Sequence, residues 1–174
     1  KKVSGKDEQP TLIGKCILCE YCYNQCPWTE PQPSEVNIFG RSKFEKEELG
    51  VVLASYSARS KKEEILKVAS DGGVVTSLLV YMFENGFIDC AVVSCLGGKE
   101  PLKPEPRVVL SPDELLECAG TRYTVSPTLL GLGSAVDEYG KERIAVVGTP
   151  CQIRAIRKMQ YSPHGALKYG SKVF

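Results

Sequence analysis

Apolar positions fall into two textures along this chain. Up to about residue 49 they are scattered and keep no period. From Gly50 onward, short β-branched runs alternate with stretches of helical spacing. Residues 51–56 (VVLASY) predict a strand. Ser60 stands three positions before Glu63, a capping-box pattern that predicts a helix through Ala69. After the sharp turn at 70–73, Val75, Leu78, Leu79, Met82 and Phe83 share one face of a helix over 74–85, with Gly86 at its C′ position.

The same alternation runs on. Strands are predicted over 88–94, 107–110 and 144–147. Ser111-Pro112-Asp113-Glu114 opens a helix to about Cys118, and Ser126-Pro127 opens another that Gly140 ends. A last helix covers 152–160, and the loop at 97–101 carries two glycines and a proline. Strands alternating with helices predict an α/β domain over 50–174, with flanking helices on a mainly parallel or mixed sheet. Ahead of it lie a polar, lysine-rich stretch (1–14) expected to be a mobile arm, a cysteine-rich loop (15–30) and a linker (31–49) with Pro31, Pro33 and a charged run. The chain starts without methionine and stops at Lys172-Val173-Phe174, the opening of a strand pattern, so the domain is expected to be part of a longer protein.

A length of 174 residues with 43% apolar content supports one good core and a small appendage. The net charge of +1 gives no electrostatic reason to expect nucleic acid or a membrane surface as partner. The longest apolar stretch, 74–83, is too short and too interrupted to span a bilayer, and no signal peptide is visible. His164 is the single histidine, which leaves little room for histidine-rich metal sites or a Ser-His-Asp triad. If the protein is an enzyme, its hard chemistry has to come from a cofactor.

Eight cysteines change the picture. Cys16, Cys19, Cys22 and Cys26 fall within eleven residues, spaced as in bacterial ferredoxin loops and followed by Pro27. Cysteines at this spacing can turn inward from one looping backbone onto the irons of a 4Fe–4S cluster. The fourth cysteine of such a run can instead serve another cluster. Zinc sites separate their cysteine pairs by a dozen or more residues, and disulfides between such near neighbours are strained. An N-terminal ferredoxin-like iron–sulfur module is therefore expected. Cys90, Cys95 and Cys118 read as small core residues. Free cysteines scattered through apolar segments point to a reducing, cytoplasmic setting.

Ligands of open α/β sheets bind beyond the carboxyl ends of strands, and three turns carry suitable chemistry. Asp71-Gly72-Gly73 lets backbone approach a ligand ahead of a helix N-terminus; a plain tight turn is the competing reading. Gly120-Thr121-Arg122-Tyr123 offers a hydroxyl, a guanidinium for phosphate and a ring for stacking, or simply a surface loop. Gly148-Thr149-Pro150-Cys151-Gln152 puts a thiol and an amide at a helix start, either as a redox-site loop or as a structural cysteine. Arg154, Arg157 and Lys158 follow; a solvated face is the simpler account of them.

These three turns, in this order and with the flanking residues 70–81, 119–127 and 148–159, resemble the beta subunits of coenzyme F-420 hydrogenases and dehydrogenases. The resemblance implies an oxidoreductase holding FAD beside a 4Fe–4S cluster, with coenzyme F-420 as hydride donor or acceptor. Hydrogenase, formate dehydrogenase or other electron-transfer subunits, and ferredoxin, are the implied protein partners. By the same resemblance Asp71, Gly72, Gly73 and Thr76 line the flavin site. Gly120, Thr121, Arg122 and Tyr123 contact its phosphate or ring region, and Thr149, Pro150, Cys151 and Gln152 lie near the isoalloxazine, with Cys151 and Gln152 closest to the chemistry. Two other functions fit the same residues: a ferredoxin-linked flavin reductase of another small substrate, and a non-catalytic electron relay that has lost flavin.

Overall fold

The computed structural model describes residues 2–3, 10–12, 14–97, 102–161 and 167–174. Most of the predicted arm (1–14), and the predicted 97–101 loop beyond Gly97, lie outside these residues. In the described part of the arm, β1 (Lys2–Val3) pairs antiparallel with β2 (Pro10–Thr11).

The main domain is built on three strands, β3 (Cys90–Cys95), β4 (Glu105–Val109) and β5 (Ile144–Val146), in the order β4-β3-β5. β3 pairs antiparallel with β4, Val93 opposite Arg107, and parallel with β5, Val92 opposite Val146. The sheet is thus mixed. Val173 adds a parallel bridge to Ile144 on the free side of β5, where the strand pattern at 172–174 pointed.

The period of two along β3 divides the core. Ala91, Val93 and Cys95 face one layer with Ile65, Leu79, Val80 and Leu115; Cys90 and Val92 face the other with Leu132, Ala135 and Ile156. The first layer belongs to helices α3 (Glu63–Val68), α4 (Val74–Glu84) and α5 (Pro112–Glu117), the second to α6 (Leu129–Asp137) and α7 (Pro150–Tyr161). Two short helices, α1 (Tyr21–Asn24) and α2 (Glu35–Phe39), precede them, and α8 (Leu167–Gly170) follows. Cys90, Cys95 and Cys118 are buried as expected. Burial drives the Cys90 thiol up to about 11 and Cys118 to about 12.

Several sequence expectations need correction. Residues 51–56 form no strand. Val52 gives its N–H to Glu47 Oε1 at 3.0 Å and receives Arg41 Nη2 on its carbonyl at 3.0 Å, so side chains occupy the groups a neighbouring strand would have used. Arg41 and Glu47 also meet in a two-bonded ion pair, and the guanidinium's hydrogen bonds hold the Glu47 carboxyl down at about 2. The linker is therefore knotted rather than merely solvated.

Helix α3 starts at Glu63, not at a Ser60 cap. Ser60 Oγ accepts from Lys62 N and from Ser77 Oγ, and its backbone N–H donates to Gly72 O at 2.7 Å, which fastens the turn to α4 instead. On α4 the buried stripe runs through Leu79 and Val80, while Val75 and Leu78 are 55% and 58% exposed. That helix is apolar nearly all round, so its period marks two adjacent stripes without choosing between them. Helix α6 begins at Leu129 because Ser126 and Thr128 spend their hydroxyls on the end of β3.

Candidate functional site

Because β3 and β5 run parallel, their carboxyl ends point to the same edge, the edge where open α/β sheets bind ligands. From the end of β5 the chain passes through Gly148 and Thr149 into α7. Gln152 folds its side chain back over this turn. Its Oε1 accepts from Thr149 N at 3.0 Å, and Nε2 donates to Ser126 O at 2.8 Å. A Cβ on Gly148 would meet Gln152 Oε1 at 2.8 Å, so the fold-back requires glycine there. Cys151 is exposed, its sulfur 3.1 Å from Thr149 Oγ1. Pro150 occupies the first helical position, where no N–H is needed.

At the end of β3, Ser94 Oγ donates to Ser126 Oγ at 2.5 Å and lies 3.0 Å from Thr128 Oγ1. Ser126 closes the segment that starts at Gly120, so this hydroxyl group joins the second marked turn to the third. The other end of that turn reaches the first: Thr121 N–H donates to Ser70 Oγ at 2.7 Å. Hydrogen bonds thus link all three turns along one edge. The sequence did not mark Ser70 or Ser126 as the connecting residues; Ser70 directly precedes the first turn and Ser126 lies three residues past Tyr123.

Within the second turn, Arg122 bends back onto its own loop. Nη2 donates to Ala119 O at 2.9 Å and to Cys118 O at 3.2 Å, whereas Nε is buried without a hydrogen-bond partner. That orphaned donor is the feature here that fits an anionic group. Beside it the Tyr123 ring is 92% exposed. In the first turn, Asp71 is exposed and Thr76 is half-buried in the first turn of α4. The two glycines answer to the chain's own packing. A Cβ on Gly72 would stand 2.9 Å from Ala58 O, and one on Gly73 2.7 Å from Ile65 Cγ2.

The cysteine loop approaches from the N-terminal side. Cys16, Cys19 and Cys22 are exposed, Cys26 is half-buried, and all four are free thiols. Leu18 and Glu20, on either side of Cys19, adopt left-handed φ values of 53° and 55°. Among the described residues no three Cys, His, Asp or Glu side chains converge at metal-binding distance. The donor set nonetheless fits a thiolate-bound group: four free sulfurs on a short irregular loop, three of them facing solvent.

Lys158, read from sequence as part of a solvated face, is only 5% exposed. Its ammonium donates to Cys26 O at 2.9 Å, Thr29 O at 2.7 Å and Thr29 Oγ1 at 3.0 Å. One turn further, Tyr161 OH donates to Asn37 O at 2.6 Å. Cys151, Ala155 and Lys158 fall at i, i+4 and i+7 on one stripe of α7, but a stripe that begins at an exposed cysteine carries no signal of burial. A separate cavity of about 360 Å³ is lined by Pro106, Arg107, Gly131 and Tyr139, among others, and by none of the predicted site residues.

The family description "Coenzyme F-420 hydrogenase/dehydrogenase, beta subunit N-term" matches residues 55–133, and its C-terminus counterpart matches residues 141–173. The coenzyme F-420 hydrogenase subunit beta of Methanothermobacter thermautotrophicus is 47% identical over 125 residues, covering 72% of this chain and 44% of that protein. The coenzyme F-420-dependent sulfite reductase of Methanocaldococcus jannaschii is 40% identical over 162 residues, covering 92% of this chain and 23% of that protein. Among solved structures, a chain of the F-420-reducing NiFe hydrogenase complex from Methanosarcina barkeri aligns with a TM-score of 0.62 at 38% identity, over 70% of this chain and 43% of that one. This chain spans less than half the length of each of these relatives.

Proposed function

The chain belongs to the coenzyme F-420 hydrogenase/dehydrogenase beta-subunit family, and on that premise we propose that it is the part of an iron–sulfur flavoprotein oxidoreductase that passes electrons between 4Fe–4S clusters and coenzyme F-420 through FAD. The observation that carries this reading is the hydrogen-bonded line Ser70–Thr121 and Ser126–Gln152. It sets the three marked turns along the carboxyl edge of the parallel pair. Bound FAD would supply the exchange between a hydride and single electrons, which links a deazaflavin to a cluster.

The chain's own residues would divide the work. Cys16, Cys19, Cys22 and Cys26 are the thiolate ligands, a soft set suited to iron–sulfur clusters. Arg122, with its orphaned Nε, meets an anionic part of the flavin, and the exposed Tyr123 ring offers a stacking face beside it. Asp71, Gly72, Gly73 and Thr76 form the adjoining wall. Gln152, fixed at both ends of its amide, ties the Thr149 backbone at the helix start to Ser126. Thr149 Oγ1 and the Cys151 thiol, 3.1 Å apart, are within hydrogen-bond reach of each other there.

The electron partner is a separate question. The relatives above are named for hydrogenase and for sulfite reductase, and F-420 is common to both names. We therefore assign F-420 to this module and leave the terminal acceptor or donor to whichever subunit it joins. Reduced F-420 added to anaerobically purified full-length protein tests the assignment. Bleaching of flavin absorbance, followed by the broad cluster absorbance, is the expected result. A flavin spectrum that ignores reduced F-420 while responding to reduced ferredoxin would replace F-420 as the partner.

A further inference from the structure

Lys158 lies on the second layer of the domain, two turns along α7 from Cys151. Seven residues of helix bring the two positions onto nearly the same face, about 10 Å apart along the axis. At the Cys151 end that face is open; at the Lys158 end the cysteine loop covers it.

An ammonium has three donors, and here their three acceptors are Cys26 O, Thr29 O and Thr29 Oγ1. All are neutral oxygens. Among the described residues no ion pair brings a carboxylate to Lys158. A buried cation without a counter-ion is costly, and an apolar residue of similar length would avoid that cost. The hydroxyl that receives Lys158 is itself set by the loop, with Thr29 Oγ1 2.6 Å from Tyr23 O and 3.0 Å from Cys26 O. The loop is thus tied closed around Pro27 and then fastened to α7 through one buried charge.

We propose that Lys158 is the positioning residue of the cysteine loop: it seats Cys26 on α7 and supplies the positive charge that offsets a net-negative, thiolate-bound cluster. This rests on the reading of Cys16, Cys19, Cys22 and Cys26 as cluster ligands. It gives α7 two roles, presenting Cys151 at its start and receiving the cluster loop two turns later.

Full-length protein, purified anaerobically as wild type, Lys158→Met and Lys158→Arg, provides the test. Amide exchange at Gln25, Cys26 and Thr29, whose N–H groups bond within the loop, should quicken about tenfold or more in Lys158→Met, with α4 and α6 unchanged as the check on folding. The cluster midpoint potential should fall in Lys158→Met, because a nearby cation favours the reduced cluster, and should stay near wild type in Lys158→Arg, which keeps the charge. Wild-type exchange in Lys158→Met would overturn the seating role, and an unchanged potential in that variant would overturn the charge role. Wild-type protein without iron would instead refute the cluster reading, and exchange would still decide whether Lys158 seats the loop.

Discussion

Gly73 holds a φ of 68° with Ile65 Cγ2 filling the place of a Cβ, so its substitution would disturb packing whether or not a flavin lies beside it. The cysteines report more cleanly. Cys151 is exposed, whereas Cys90 and Cys118 are buried and their thiols stay protonated up to about 11 and about 12. A thiol reagent at pH 8 should modify Cys151 rapidly and reach Cys90 and Cys118 only on unfolding, as peptide mapping would resolve. The linkage has a definite sign. The folded pKa of each buried thiol is raised, so its contribution to stability is complete below the ordinary thiol range, about 8.5. That contribution is lost as pH climbs from there toward 11. Urea midpoints that rise across that interval would contradict the burial.

Single residues were legible where chemistry follows from identity, and less so where it follows from a partner. Four closely spaced thiols announced themselves. The pair at 72–73 was legible as a ligand-binding turn or a plain tight turn; that an added Cβ would meet Ala58 O and Ile65 Cγ2 of the same chain depends on partners the local sequence does not show. Lys158 was assigned to solvent because cations usually face it; only the distant segment at 26–29 explains its burial.

At the scale of elements, helix α6 shows how closely sequence and packing are matched. A Cβ on Gly131 would stand 2.7 Å from Val92 Cγ1 and 3.3 Å from Pro106 Cβ, whereas one on Gly133 would meet nothing within 4 Å. Gly131→Ala should therefore cost about 1–3 kcal/mol by overpacking against β3. Gly133→Ala should stabilise by about 0.5–1 kcal/mol, because it removes a glycine from a helix without touching a neighbour. Paired urea melts decide this; equal effects at the two positions would mean that α6 does not pack on β3 as described. The strands and helices of the sheet were legible from periodicity, since each has a face to bury. The run at 51–56 shared the strand pattern but lacked a neighbour, and Arg41 and Glu47 took its backbone groups instead. Whether an apolar run finds a ladder partner is decided by distant sequence.

For the whole molecule, the order of motifs carried the family, because three separated turns must all be present before they can meet on one edge. Sequence could not show how the N-terminal loop reaches that domain. The structure supplies the route: Lys158 and Tyr161, one turn apart on α7, hold residues 26–37. Along this route the loop meets the helix that also bears Cys151. No helix among the described residues is long and apolar enough to cross a membrane. The alignments cover only 44% and 43% of the two hydrogenase subunits matched, so the proposed electron path belongs to the complete subunit.

The central claim is that one subunit holds both a flavin at the three turns and a cluster at the cysteine loop. Cofactor analysis of the full-length protein, purified without oxygen, tests it most directly. The account predicts FAD together with iron and sulfide, about four of each per cluster, and a Cys19→Ser variant that loses iron while keeping its flavin. Iron without flavin would contradict it and reduce the chain to an electron relay. Flavin without iron would contradict it from the other side, leaving the cysteine loop without the role its spacing announces.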